Sequence, residues 1–128
     1  MSGNQKFFIC SHCGNIASLI RNKGVPLVCC GEKMAQLVEN TAEASVEKHL
    51  PAFTISNDKI EVQVGSTAHP MEEAHRIDFI YVETEKGGQR KRLNAGDSPK
   101  LTFSFTDDKP INVYAYCNLH GLWKTEVK

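Results

Sequence analysis

Alternation dominates the second two-thirds of the chain. From Phe53 onward apolar residues recur at every second position, in the sets Ile60, Val62 and Val64; Ile77, Phe79 and Tyr81; Leu101, Phe103 and Phe105; Ile111, Val113 and Ala115. A period of two is that of a strand with one face buried. The runs break at Ser56-Asn57-Asp58, Gly65-Ser66, Gly87-Gly88, Asn94-Ala95-Gly96-Asp97 and Asp107-Asp108-Lys109-Pro110, all rich in turn formers. Short strands at this spacing, with no long helical pattern between them, predict a mainly β chain whose larger part, residues 39–128, is an antiparallel immunoglobulin-like β-sandwich. Residues 1–38 read as a separate, smaller domain. The polar stretch Glu39-Asn40-Thr41-Ala42-Glu43-Ala44-Ser45 has no strand periodicity and reads as the linker between the two.

The small domain is organised by cysteines. The chain has five, an odd number that argues against a closed disulfide framework, so their arrangement is read as metal chemistry in a reducing compartment. Cys10-Ser11-His12-Cys13-Gly14 is a CxxC knuckle, and Cys29-Cys30-Gly31 adds two thiols after a strand-like Val25-Pro26-Leu27-Val28. Between them, Asn15 to Ile20 and the turn Asn22-Lys23-Gly24 predict the arms of a hairpin. Four thiolates from two turns surround one tetrahedral ion, and ligand softness and geometry leave Zn(II) and a single iron both open. The segment from Phe7 to about Val38 is too short to bury a core and needs a staple in either case, so a closed zinc ribbon is the plain alternative. Adjacent Cys29 and Cys30 must reach one ion from side chains that normally diverge; the distortion this implies favours iron. With four thiols completing the shell, His12 reads as an exposed loop residue.

A second constellation lies in the β-rich part. Cys117-Asn118-Leu119-His120-Gly121-Leu122-Trp123 follows the run Ile111, Val113, Ala115, and a loop at the end of a rigid strand is where metal sites are commonly built. His49 stands in His-Leu-Pro, His69 in His-Pro-Met-Glu-Glu, and His75 just before another strand-like run. Each histidine alone is an ordinary surface or core residue. With the sole thiol of this half sitting in a Cys-x-x-His loop, they form a candidate four-histidine, one-cysteine centre. A blue-copper site is disfavoured, because no methionine follows Cys117 and Met71 is the only one in this domain. Five ligands of this kind suit iron with one vacant position. Trp123 reads as core packing for the last strand.

Composition alters this picture little. A 41% hydrophobic and 23% charged content is ordinary for a globular chain of 128 residues. Zero formal net charge provides no global field toward nucleic acid or an anionic membrane, and the basic cluster Lys86, Arg90, Lys91 and Arg92 around Gly87-Gly88 reads as a solvated hairpin. No apolar run has signal-peptide or membrane-spanning length, which makes a cytoplasmic protein the simplest expectation.

The cysteine motifs together with Glu47-Lys48-His49-Leu50-Pro51, His69-Pro70-Met71-Glu72-Glu73-Ala74-His75 and the Cys117 loop resemble desulfoferrodoxin, the two-iron class of superoxide reductase, in the same order along nearly the whole chain. The resemblance implies a desulforedoxin-like first domain in which Cys10, Cys13, Cys29 and Cys30 hold a rubredoxin-like iron. It implies a catalytic iron ligated by His49, His69, His75 and His120 in one plane with Cys117 axial, and one-electron reduction of superoxide to hydrogen peroxide without release of oxygen. It further implies a rubredoxin-like electron donor, a homodimer, Lys48 as the cation that steers superoxide and stabilises the developing peroxide, and Glu47 as the carboxylate that closes the sixth position of oxidised iron. Without it, Glu47 and Lys48 read as a solvated ion pair. Two positions depart from the family pattern: Ala74 stands where a lysine is common and Leu122 where a histidine is common. Arg76 is the candidate to restore the missing charge. An electron-transfer protein with an inert histidine site and a zinc-stapled binding module are the competing classes.

Overall fold

The computed structural model describes residues 5–41, 46–65 and 68–127, and the side chain of Glu47 is also outside the described set. Ala42 to Ser45 of the expected linker and Ser66 of the expected turn fall outside it too. The chain divides into two compact units with the boundary between Val38 and Glu39.

The N-terminal unit has strands of two residues each: β1 (Phe8–Ile9), β2 (Ile16–Ala17), β3 (Val28–Cys29), β4 (Glu32–Lys33) and β5 (Ala35–Gln36). β1 is the centre of an antiparallel sheet ordered β2-β1-β5, and β3 pairs with β4 in a separate hairpin. The expected hairpin with its tip at Asn22-Lys23-Gly24 is therefore not formed. The knuckle itself is the closing turn, with Cys10 N–H on Asn15 O at 2.9 Å and Gly14 N–H on Cys10 O at 3.0 Å, so β2 folds back on β1 instead. Closing that short loop costs less entropy than closing the long one. Among the described residues the buried apolar side chains of this unit are Phe7 and Cys10, while Ile20, Val25 and Val28 are exposed. There is little core here to hold the fold.

The C-terminal unit starts with one helical turn, α1 (Val46–His49), followed by β6 (Pro51–Ser56), β7 (Lys59–Val64), β8 (Ile77–Thr84), β9 (Gly88–Arg92), β10 (Lys100–Ser104), β11 (Pro110–Cys117) and β12 (Gly121–Glu126). One sheet is ordered β10-β7-β6 and the other β12-β11-β8-β9, with every pairing antiparallel. The expected sandwich is present. Its core is Ile60, Val62 and Val64 from β7, Phe103 from β10, Ile80 and Val82 from β8, and Val113, Ala115 and Cys117 from β11.

The phase of β8 differs from the alternation read in the sequence. Val82 lies opposite Val113 and Ile80 opposite Ala115, so these face the core, while Phe79 and Tyr81 lie opposite Tyr116 and Tyr114 on the other side. Phe79 and Tyr116 stack there with ring centroids 5.7 Å apart, and Tyr81 and Tyr114 meet at a tilt with centroids 6.2 Å apart. Ile77 nevertheless enters the core, because the pairing slips between Tyr116 and Cys117 and brings Ile77 opposite Cys117. A bulge of this kind turns a strand locally, and here it lies at the residue that enters the candidate site. On the far side of the unit, Lys91 Nζ donates to Thr102 O at 2.6 Å and Gln89 Nε2 to Ser104 O at 2.5 Å, tying edge strand β9 to edge strand β10. Charged, occupied edges of this sort resist pairing with another chain. Gly88 has to be small: a Cβ there would lie 2.0 Å from the Tyr81 hydroxyl.

Candidate metal centres

In the N-terminal unit the knuckle and the β3–β4 turn bring Cys10, Cys13, Cys29 and Cys30 together, with all four Sγ atoms within 4.8 Å of one another. How neighbouring cysteines point the same way is visible in the backbone. Cys29 pairs with Glu32, leaving Cys30-Gly31 as a two-residue turn, and both have left-handed φ values of 52° and 75°. That is the turn geometry favoured by strand twist, and it normally takes Asn-Gly. A cysteine held there costs on the order of 1–3 kcal/mol, strain of the kind that collects at functional sites. Backbone and side-chain donors surround the sulfurs: Cys13 N–H on Cys10 Sγ at 3.5 Å, Asn15 N–H on Cys13 Sγ at 3.5 Å and Asn15 Nδ2 on Cys29 Sγ at 3.7 Å. The N–H groups of Cys13 and then His12 bring the Cys10 thiol down to about 6. Cys30 is pushed up to about 12 by hydrogen bonding to Cys10, Cys13 and Cys29, because crowded thiols cannot all ionise without a cation. His12 turns away from the sulfurs; its Nε2 lies 2.9 Å from Glu32 Oε2, which Ser11 Oγ also reaches at 3.3 Å.

In the sandwich, four imidazoles form a closed ring. Consecutive centroids are 4.6 Å apart for His49–His69, 4.8 Å for His69–His75, 5.1 Å for His75–His120 and 4.9 Å for His120–His49, each pair between 76° and 87° to its neighbour. Cys117 Sγ lies 3.8 Å from His120 Nδ1, and it falls with the His49, His69 and His75 nitrogens in one group whose atoms are all within 4.8 Å. The five ligands come from four places in the fold: His49 from the end of α1, His69 and His75 from the connection between β7 and β8, Cys117 from the end of β11 and His120 from the turn into β12. Cys117 continues the inward alternation of Val113 and Ala115 and is 0% exposed; His49 and His69 are each 3% exposed. Burial pushes the Cys117 thiol up, against the pull of the Leu119 and His120 N–H groups.

The donor set fits a cation. His69 Nδ1 donates to Pro70 O at 2.7 Å, which fixes the tautomer and leaves the Nε2 lone pair facing His49 Nε2 at 3.1 Å. His49 Nε2 also lies 3.1 Å from His120 Nδ1, and a neutral imidazole has only one N–H to share between such contacts. Burial holds the His69 imidazole down at about 4, so the conflict is not relieved by protonating it. His75 Nε2 is buried without a hydrogen-bond partner. A metal among these nitrogens and the sulfur satisfies every one of them. Their mixture of imidazole and thiolate suits iron, as the four sulfurs of the first cluster suit iron or zinc.

The comparisons agree over both units. The family model for the N-terminal domain of desulfoferrodoxin matches residues 2–37, and the desulfoferrodoxin model matches residues 41–126. The chain belongs to the desulfoferrodoxin family. It is 43% identical over 126 residues to a desulfoferrodoxin of Syntrophotalea carbinolica, covering 98% of this chain and 99% of that one, and 40% identical over the same length to one of Nitratidesulfovibrio vulgaris. Among solved structures it is similar to the superoxide reductase from Treponema pallidum, with 32% identity, a TM-score of 0.82 and coverage of 97% of this chain and 100% of that one.

Around this desulfoferrodoxin site the structure places the remaining residues that the sequence reading named, together with Pro70. The Trp123 ring stacks on His49, with centroids 5.0 Å apart and planes at 27°, and its Nε1 donates to His120 O at 3.1 Å. Trp123 is thus more than packing for the last strand. Pro70 supplies the carbonyl that orients His69, and only the His-Pro dipeptide hinted at it. Arg76 does not restore the missing charge: its Nη1 donates to Glu73 O at 2.6 Å and its Nε lies 3.1 Å from Asp78 Oδ1, so the guanidinium is compensated where it stands. Leu122 is buried and Ala74 exposed. Lys48 is exposed on α1, immediately before His49. Among the described residues no helix is long and apolar enough to cross a membrane.

Proposed function

We propose that this chain is a superoxide reductase: superoxide, one electron and two protons become hydrogen peroxide, and no oxygen is released. The observation that carries the reading is the closed ring of four imidazoles with the Cys117 sulfur beside it. We assign His49, His69, His75, His120 and Cys117 as ligands of the catalytic iron and Cys10, Cys13, Cys29 and Cys30 as ligands of a second, rubredoxin-like iron. Fe(II) held by these neutral imidazoles and one thiolate would have a formal charge of about plus one and would supply both the electron and an attraction for a small anion. The chain's own contribution is to prepare and hold that charge. Pro70 O keeps the proton of His69 on Nδ1, so the ligand nitrogen is always a lone pair. The buried wall around Cys117 keeps its sulfur from water. Lys48, exposed beside His49 in sequence, draws the anion in and offsets the charge that builds on the product. Glu47 is the carboxylate we assign to the oxidised state of the same iron.

Residues 1–38 form the desulforedoxin-like domain in this reading and residues 39–128 the catalytic sandwich; the separation of two compact units at Val38–Glu39 supports the division. The donor is a small rubredoxin-like redox protein and the chain is a homodimer, a reading supported by the exposed Ile20, Val25 and Val28. Five free cysteines support a reducing, cytoplasmic setting. Metal analysis of anaerobically purified protein, followed by pulse-generated superoxide, tests the function. Two irons per chain and stoichiometric peroxide without oxygen are expected. Zinc in the cysteine cluster and no reaction with superoxide would return the chain to the zinc-stapled binding modules.

A further inference from the structure

Asn118 sits between two ligands, Cys117 and His120, yet it belongs to neither site by chemistry. Its side chain reaches across to the segment that carries His75. Arg76 N–H donates to Asn118 Oδ1 at 2.8 Å, and Asn118 Nδ2 donates to Ala74 O at 3.0 Å. Its own backbone N–H donates to Arg76 O at 3.1 Å. The three bonds grip residues 74 and 76, the two neighbours of His75, and anchor them to the residue next to Cys117. The slipped pairing of Cys117 with Ile77 lies at the same place, where the β11–β8 ladder is irregular. At that irregularity the side-chain amide adds two bonds to the single backbone bond in setting the separation of the His75 imidazole and the Cys117 thiolate at the end of β11.

We propose that Asn118 is a positioning residue, a clamp that fixes the distance between the His75 nitrogen and the Cys117 sulfur and so retains the iron of the histidine site; this rests on the superoxide reductase reading only in taking iron as the metal held there. It touches no substrate and is not a catalytic residue. Groups that orient metal ligands from behind typically change metal affinity by about 10–100-fold when removed.

The two metal sites of one chain make the test internally controlled. Iron-loaded protein is mixed with a strong Fe(II) chelator under anaerobic conditions, and iron loss from each site is followed separately by its own absorption. Asn118→Ala is expected to release iron from the histidine–thiolate site at least about tenfold faster than the parent, with release from the four-cysteine site unchanged. Asn118→Asp, which keeps the oxygen that accepts from Arg76 and loses the donor to Ala74, should fall between them and shift the thiolate-to-iron absorption band less than Asn118→Ala does. Asn118→Ala with parental release would overturn the clamp. So would equal acceleration at both sites, which marks general unfolding. Because iron retention is read without superoxide, a failure of the reductase reading would show as parental protein that holds iron normally and makes no peroxide.

Discussion

The two metal centres of this chain are built on opposite principles. The four-cysteine cluster stands on two-residue strands and turns, with Cys13 and Cys30 exposed and only Phe7 and Cys10 buried among the described apolar residues of its unit. The histidine–thiolate centre stands on a sandwich with a continuous apolar core of Ile60, Val62, Ile80, Val82, Phe103 and Val113, into which only Cys117 of its ligands is built. In the first unit the ligands create the fold; in the second the fold delivers the ligands.

Metal removal should separate the two most sharply. A structural metal of this kind contributes on the order of 10 kcal/mol to a small fold that cannot bury a core, so stripping it should unfold residues 5–38 outright. The sandwich should remain folded in the same sample. Amide exchange of the metal-free protein followed by mass spectrometry checks this: full loss of protection across the N-terminal unit, with β7, β8 and β11 still protected, is the expected pattern. Retained protection in the N-terminal unit would mean that it carries a core of its own.

The converse perturbation is a cavity in the sandwich. Phe103 is fully buried, and Phe103→Ala should cost about 3–5 kcal/mol. At about 4–8 °C per kcal/mol for a unit of this size, the melting transition of the sandwich should fall by roughly 12–40 °C. The absorption of the four-cysteine site should persist below that transition. A common shift of both signals would erase the distinction between the units.

The contrast also governs what could be read from the sequence. Cysteines and histidines next to turn signals announce themselves, and the structure gathers Cys10, Cys13, Cys29 and Cys30 in one place and His49, His69, His75, His120 and Cys117 in another. The sandwich was legible because alternation is a local signal. Events that depend on pairing were not. The slip between Tyr116 and Cys117 moves the core face of β8 from Phe79 and Tyr81 to Ile80 and Val82, and nothing in either strand alone encodes it. The pairing of β2 with β1 was hidden because strands of two residues have no periodicity to read. Asn118 escaped for a related reason: an asparagine in a loop has ordinary uses, and its contacts with the segment that carries His75 exist only in three dimensions.

The smallest effect concerns protons. In the four-cysteine cluster N–H donors bring Cys10 down to about 6, whereas in the sandwich burial moves Cys117 upward from the ordinary thiol range. A metal takes the thiolate, so binding at the histidine site must expel the proton that burial keeps on Cys117. His69, held at about 4, has no proton to lose above pH 5 or so. The sign follows directly: raising the pH below the Cys117 pKa removes a competing proton, so affinity rises with pH. Between pH 7.5 and 8.5 the apparent affinity of the histidine–thiolate site for Fe(II) should rise about tenfold, which is about 1.4 kcal/mol. Replacing Cys117 with serine should flatten that slope, because a hydroxyl is not deprotonated in this range, while leaving whatever pH dependence the four-cysteine site has untouched. Competition titrations against a chelator of known pH behaviour measure both slopes. A slope that survives the substitution would place the released proton on another ligand and remove buried thiol ionisation from the account of how the two centres differ.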